Sequence, residues 1–420
     1  MAEMKDSGTA WLGMIPKDWE LSKISSIYEL RTQKVSDKDY PPLSVTMNGI
    51  VPQLDSAAKT NAHDDRKLVK KGDFAINSRS DRRGSCGVSE YDGSVSLINT
   101  VMKPRDEMNP DYYNWLFHTI QFADEFYKWG HGIVDDLWTT NWQDMKYIDI
   151  PVPTLDEQKV IADYLNKAIP EIDALHTDIE KQIETLEEYK KSIITEAVTK
   201  GLDPDVEMKD SGIELIGQIP NEWKISRLGW ISKKIGDGIH GTVTFEDGET
   251  NFYFINGNNI KKRNIAIKDN TQRITERIYN TYKTNLTTHT ILISLNGTIG
   301  NLAFYNNENV LLGKSVGFIE LKEEYNREYI YYLLQANYIK TIFELSFAGT
   351  TINNLSLQTL RKTNVLLPPK TEQKKIVKYL DKKCAEIDGA IEEKKEQLDT
   401  LEQYKKSVIY EYVTGKKEVQ

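Results

Sequence analysis

The chain has 420 residues, 39% hydrophobic and 28% charged, with a net charge of −9, so two to four domains are expected, each able to bury a core. Residues 1–6 lack the apolar core of a signal peptide, and no run approaches a membrane span. Two cysteines at unrelated positions exclude a cysteine zinc site by number and argue against a disulfide, so the expected compartment is the cytoplasm.

Taken in order, the chain opens on a frame segment, residues 1–16, with Met4-Lys5-Asp6-Ser7-Gly8 and Ile15-Pro16, followed by Trp19. The same letters return as Met208-Lys209-Asp210-Ser211-Gly212, Ile219-Pro220 and Trp223, at an offset of 204. A body spans 17–150, mixing short β-rich runs with one aromatic-rich helix, Tyr112 to Phe122. It ends at Ile150-Pro151-Val152-Pro153, after which Thr, Asp and Glu signal a helix start. A short helix is predicted from Leu155 to Ala168 with Val160, Ile161, Tyr164 and Leu165 inward. Pro170 stops or kinks it, and a long helix follows from Glu171 to Thr199.

That long helix carries apolar residues at Ile172, Leu175, Ile179, Ile183, Leu186, then Tyr189 or Ile193, then Ala197. Steps of three and four trace a narrow coiled-coil seam, so 151–200 reads as a helical spacer. Residues 201–220 read as a connector, and a second body spans 221–366. That body has β-rich runs at Leu292–Leu295 and Val316–Ile319 and an aromatic-rich helix from Glu328 to Ile339. After Leu367-Pro368-Pro369 a second spacer, 367–420, repeats the first at an offset of 215. Glu157-Gln158-Lys159 returns as Glu372-Gln373-Lys374, and Tyr189-Lys190-Lys191-Ser192 as Tyr404-Lys405-Lys406-Ser407. Its seam is Ile387, Ala390, Leu398, Leu401, Val408 and Tyr412, interrupted by Lys394, which reads equally as a register device or a frayed spot. The predicted fold is α+β: two globular α+β domains separated by two long helices packing as an antiparallel coiled coil, a pseudo-two-fold internal repeat.

The charge is uneven. Residues 221–366 hold 17 basic and 13 acidic side chains, whereas 17–150 hold 17 and 21, and 151–200 hold 6 and 11. Association follows local potential, so the negative total does not exclude nucleic acid, although a lone DNA binder would be more basic. Motifs for catalysis are missing. Tyr40-Pro41-Pro42 and Leu367-Pro368-Pro369 have the wrong order for base amino-methylation. Gly236-Asp237-Gly238 is not a dinucleotide fingerprint, and Pro204-Asp205 with Glu207-Met208-Lys209 is too tightly spaced for a nuclease. The six histidines do not cluster at metal spacing.

The frame Lys5-Asp6-Ser7-Gly8, Gly13-x-Ile15-Pro16-x-x-Trp19, its copy from Lys209 to Trp223, and the Pro/Glu-Gln helix starts followed by Glu-Ile-Asp resemble the specificity subunit of type I restriction-modification systems. The resemblance covers essentially the whole chain, in the order recognition domain, spacer, recognition domain, spacer. It implies a subunit without catalysis or cofactor of its own that reads a bipartite double-stranded DNA target. It further implies two modification (methyltransferase) subunits using S-adenosylmethionine, and restriction/translocase subunits using ATP and Mg. About 29 helical residues at roughly 1.5 Å each give about 43 Å, commensurate with the roughly 34 Å spacing of half-sites one turn apart.

Base reading needs Arg, Lys, Asn, Gln, Ser or Thr at groove edges. In the first body the candidates are Lys70, Lys71, Asn77, Ser78, Arg79, Arg82 and Arg83; a solvated basic turn is the plain alternative. Gly130-His131-Gly132 reads as a contact loop or as turn chemistry. In the second body they are His240, Thr242, Asn258, Asn259, Lys261, Lys262, Arg263, Asn296, Thr298, Thr350 and Thr351. Asn296-Gly297 also reads as a hairpin turn. Trp19, Trp223, Met145 and Leu360 read as core, and Lys190-Lys191 and Lys405-Lys406 as solvated faces or partner contacts. A helical protein-interaction scaffold without sequence-specific DNA binding is the competing function.

Overall fold

The structure, a computed structural model, describes residues 3–54, 63–105, 108–133, 138–246, 250–347 and 353–419. It divides into two compact units, one of residues 1–180 with 395–420 and the other of residues 181–394.

The first unit is built on an antiparallel four-stranded sheet in the order Cys86–Val88, Phe74–Asn77, Asn99–Pro104, Tyr28–Leu30. Side chains alternate across a strand, and here both faces are buried. Phe74, Ile76 and Met102 join a large aromatic-rich core with Tyr112, Tyr113, Phe117 and Phe122. Ala75 and Val101 face a smaller core with Leu43, Ile50, Val69 and Val95. The second unit repeats the order with Leu302–Phe304, Thr290–Ser294, Val316–Leu321 and Ser232–Asp237. Its alternation is the same: Ile291, Ile293 and Ile319 face the helical core, while Leu292 and Phe318 face the smaller one.

The frame motifs fold as matching hairpins, Met4–Asp6 with Met14–Pro16 and Met208–Asp210 with Gln218–Pro220, so the second part of the predicted connector is structured. In each, an aspartate caps the turn: Asp6 Oδ1 accepts from Gly8 N–H and Asp210 Oδ1 from Gly212 N–H, both at 2.9 Å. The strands Glu20–Lys23 and Lys224–Arg227 pair with Asp149–Val152 and Asn364–Leu367, tying each body's beginning to its end. Trp19, Trp223, Met145 and Leu360 are buried, as the sequence predicts.

The Glu-Gln motif earns its place at the helix start. Trp19 Nε1 donates to Glu157 Oε1 and Trp223 Nε1 to Glu372 Oε2, both at 3.0 Å. Gln158 Nε2 and Gln373 Nε2 each donate to a proline carbonyl, Pro153 and Pro368, at 2.8 Å. The copies differ at one position. Thr154 completes a reciprocal cap with Glu157, whose Oε2 accepts from Thr154 N–H at 2.9 Å. Its counterpart is Pro369, which has neither hydroxyl nor N–H. Burial pushes the Glu157 carboxyl up, but the Thr154 and Trp19 donors outweigh it and hold it below the ordinary carboxylate value. At Glu372 burial prevails over the Trp223 donor, and the carboxyl stands above that value.

Several sequence expectations are corrected. The first spacer is one continuous helix, Leu155–Lys200, with Pro170 inside it. Pro170 and Asn166, whose carbonyl loses its i+4 donor, both lie on the exposed face, so solvent serves the orphaned group while Leu165 and Ile169 stay buried. Val160 and Leu175 are each 50% exposed, not inward. The inward register is buried Leu165, Ile169, Ile179 and Ile193 with half-buried Ile172, His176, Ile183, Leu186 and Lys190 between them, in steps alternating four and three. The second helix, Lys370–Val413, follows the same alternation through Cys384, Ile387, Ile391, Lys394, Leu398, Leu401, Lys405 and Val408, so Ile391 takes the place expected of Ala390. Each aromatic-rich helix breaks in two. Thr119 caps Ile120–Lys128 by accepting from Phe122 N–H after Pro110–Phe117, and Arg327–Leu333 ends before Asn337–Phe347.

Lys190 and Lys405 are not plain solvated residues. In the second unit Lys190 Nζ pairs with Asp388 at 2.6 Å. In the first, Lys405 Nζ pairs with Asp173 at 2.5 Å and Tyr412 packs on Tyr164, so these helical segments run antiparallel there. The two pairs are repeat-equivalent, since Lys190 and Lys405, like Asp173 and Asp388, lie 215 positions apart. Among the described residues no helix is long and apolar enough to cross a membrane.

Candidate nucleic-acid interface

An antiparallel sheet brings alternate strand ends together, and in each unit the same end gathers the polar loops. In the first unit Asn77 closes Phe74–Asn77, and the chain returns through Ser85 to Cys86–Val88. Asn77 N–H donates to Ser85 O at 2.8 Å, and Ser78 N–H to Ile98 O at 3.3 Å. Ser80 N–H reaches Trp138 O, and Thr140 N–H reaches Ser78 O, binding this loop to the segment before the long helix. Arg79 and Arg82 straddle Asp81, at 3.1 and 3.8 Å, and both are exposed. Arg83 pairs with Asp124 and lies 5.3 Å from the Tyr127 ring, itself stacked on Trp138. Ser78 is buried with its hydroxyl on Thr100, so it holds the loop and does not reach outward.

Lys70 and Lys71 are exposed but occupy the turn before Phe74, at the other end of the strand, about 10 Å from Asn77 at the strand rise. They are not brought together with the arginine loop. His131, exposed, turns its Nε2 to Asp144 Oδ1 at 3.0 Å.

In the second unit the corresponding loop, Leu295 to Asn301, joins Thr290–Ser294 to Leu302–Phe304 and lies beside residue 354 through a backbone bridge from Asn296. Asn296 is half-buried and Thr298 exposed. The loop Asn256–Asn259 lies alongside, with Gly257 N–H donating to Ser315 Oγ at 2.9 Å. Asn258 points to solvent, whereas Asn259 is consumed internally. Its Oδ1 accepts from Asn256 N–H and its Nδ2 donates to Ala266 O. His240 and Thr242 are exposed, and His240 Nε2 is 2.7 Å from Asp237 Oδ2. That loop can press against the sheet because residue 238 is glycine: a Cβ there would lie 2.1 Å from Leu312 O.

Lys261 and Lys262 are exposed on a small hairpin beside Leu302–Phe304. Arg263 follows them, but its guanidinium is held by Asp381 at 2.6 Å and by the Phe304, Tyr331 and Tyr332 rings at 5.6, 5.0 and 5.0 Å. Thr350 and Thr351 lie outside the described residues. Sequence reasoning missed the tip between the strand Gly93–Val95 and Asn99–Pro104, where Leu97 and Ile98 are exposed, and its counterpart Gly313-Lys314-Ser315, where Lys314 is exposed. The signal was an apolar pair bracketed by turn-forming Ser96 and Asn99.

The two edges therefore present Arg, Asn, His, Thr and Lys donors on braced loops. Among the described residues no group of three or more His, Cys, Asp or Glu side chains is placed to hold a metal ion. Both cysteines are buried, and burial pushes their thiols up.

Comparison with known proteins fits this architecture. The model of the type I restriction modification DNA specificity domain matches twice, over residues 16–185 and 220–403. The type I restriction enzyme MjaVIII specificity subunit of Methanocaldococcus jannaschii is 26% identical, covering 96% of this chain and 93% of its own. The StySPI specificity subunit of Salmonella potsdam is 22% identical over 90% of this chain and 84% of its own. Among solved structures, a chain from work on complex assembly and conformational transition of the type I R-M system superposes with a TM-score of 0.71 at 15% identity, covering 96% of this chain and 99% of that one. The HsdS subunit from Thermoanaerobacter tengcongensis gives 0.50 at 16% identity, covering 96% and 98%. With two matches that together span most of its length, this chain belongs to the type I restriction-modification DNA specificity family.

Proposed function

We propose that the chain is a non-catalytic DNA-specificity subunit whose two units each read one half of a bipartite double-stranded target. The observation that carries this is the repetition of one edge: in both units the same end of the same four-stranded sheet gathers braced polar loops. Such loops suit base and phosphate recognition, in which side-chain donors address groove edges and phosphates fix register. The long helices pair antiparallel along their four-three seams and set the gap between half-sites. The equivalent Lys190–Asp388 and Lys405–Asp173 pairs support that register. The chain works in the cytoplasm with two modification subunits, which bring S-adenosylmethionine, and with restriction/translocase subunits, which bring ATP and Mg. No cofactor belongs to this chain.

The test is binding by the full chain with its modification partners to duplexes bearing both half-sites, one half-site, or both with an altered gap. Tight binding only to the intact discontinuous target, falling steeply with salt, is expected. Binding that ignores DNA sequence and survives charge reversal at Arg79, Arg82, Lys261 and Lys262 would replace this reading with a protein-interaction scaffold.

A further inference from the structure

An exposed branched apolar residue is ordinary when single, but two in succession on a braced tip call for a cause. Leu97 and Ile98 are 40% and 37% exposed. The tip cannot fold them inward. Asn99 N–H donates to Ser96 O at 3.1 Å, and Asn99 Nδ2 donates to Ser96 O and Oγ at 3.2 and 3.1 Å. Lys67 Nζ donates to Asn99 O at 2.6 Å, and Ser78 N–H to Ile98 O. That last bond fastens the tip directly to the loop that carries Arg79, Arg82 and Arg83.

The repeat supplies an internal comparison. The strands flanking this tip, Gly93–Val95 and Asn99–Pro104, correspond to Val310–Leu312 and Val316–Leu321 at a constant offset of 217. Leu97 therefore corresponds to Lys314 and Ile98 to Ser315. In the second unit Lys314 is exposed, and Ser315 Oγ donates to Asn256 Oδ1 while accepting from Gly257 N–H. The same structural position is apolar in one unit and cationic in the other.

We propose that Leu97 and Ile98 are an apolar reading element that packs against thymine 5-methyl groups in the major groove of the half-site bound by the first unit. The proposal rests on the DNA-recognition reading above and adds which chemical group is recognised. The flanking arginines bring the tip to a polyanion, and the thymine methyl is the apolar feature that the major groove displays. Lys314 gives the second unit a phosphate or polar contact at the equivalent place, so the two half-sites differ in methyl dependence.

The experiment uses the full chain with its modification partners and its mapped target, with each thymine replaced singly by deoxyuridine, which removes only the methyl. One or two replacements in a single half-site are expected to weaken binding by about three- to tenfold, the size of a buried methyl contact. Those penalties vanish in Leu97→Ala/Ile98→Ala, whose response to uracil in the other half-site is unchanged. A first half-site that lacks thymine, or in which every uracil form binds as well as thymine, overturns the proposal, and so does a penalty that persists in the double variant. The wild-type series needs no folded variant. Failure to bind any discontinuous target refutes the specificity-subunit reading itself, whereas such binding with silent uracil refutes only the methyl contact.

Discussion

Arg263 separates two ways in which a basic residue at this surface can act. Its guanidinium is half-buried, 2.6 Å from Asp381 and about equidistant from Tyr331 and Tyr332. Tyr332 also donates to Asp381 Oδ1 at 2.8 Å, so the cation, carboxylate and phenol form one network. The partly exposed ion pair contributes about 0–1 kcal/mol, and contacts with aromatic faces add about 0.5–1 kcal/mol each where solvent reaches them. One guanidinium cannot face all three rings squarely, so Arg263→Ala is expected to cost about 1.5–3 kcal/mol. The loss should be local. Lys262 and Arg263 have φ of 41° and 72°, an unfavourable hairpin turn for non-glycine residues that the anchor holds in place. Hydrogen exchange should therefore accelerate at residues 260–265, and a cycle with Asp381→Asn should show coupling. The slope of DNA affinity against salt should stay unchanged, whereas Lys261→Ala and Lys262→Ala should each lower it by about 0.9 without altering exchange. If Arg263→Ala exchanges like wild type while its salt slope drops by that amount, Arg263 is a phosphate contact and the anchoring argument is wrong.

Other expectations follow from the helices. Pro369→Thr restores the cap that Thr154 provides and should stabilise the second unit by about 0.5–1 kcal/mol, with the Glu372 carboxyl moving down, read by titration of a labelled glutamate. The raised Glu372 carboxyl makes folding less favourable at neutral pH, a cost that fades as pH falls through its folded-state value. The lowered Glu157 carboxyl contributes stability above the ordinary glutamate range that is lost as pH falls toward its folded-state value. Chemical denaturation across that acidic window, following a probe in each unit, should show the opposite slopes. Leu175→Gln should change stability by no more than about 0.5 kcal/mol, whereas Ile179→Ala, four residues on and 6% exposed, should cost about 2–4 kcal/mol. Equal effects would mean that the four-three register is misplaced.

Much of this fold was legible because duplication prints the same local physics twice. The Trp, the Glu-Gln pair and the Asp-Ser-Gly turn each recur, and each makes the same contact in both copies. The seam was nearly legible: stepping from Ile172 to Leu175 follows hydrophobicity, but only His176 preserves the alternation begun at Leu165 and Ile169. Hydropathy masked the geometry there, as it did at Lys190 and Lys405, whose aspartate partners are 198 and 232 residues distant. Pro170 was over-read as a stop: the helix runs through it, where Pro170 and Asn166, whose carbonyl loses its donor, are both exposed. The candidate site was harder. Asn77, Arg79, Asn258 and Thr298 were found as polar letters in loops, but letters alone could not distinguish exposed Asn258 from Asn259, whose amide is spent on Asn256 and Ala266. Nor could they show that Arg263 meets a carboxylate 118 residues away.

Base-resolved mapping of adenine methylation, in cells that carry the modification partners with this chain or with loop variants of it, addresses the central claim most directly. The account predicts one discontinuous motif, with substitutions at Asn77, Arg79 and Arg82 changing the preference in one half only and substitutions at Asn258, Asn296 and Thr298 changing the other. A contiguous motif, or a motif indifferent to both sets of loops, would contradict it.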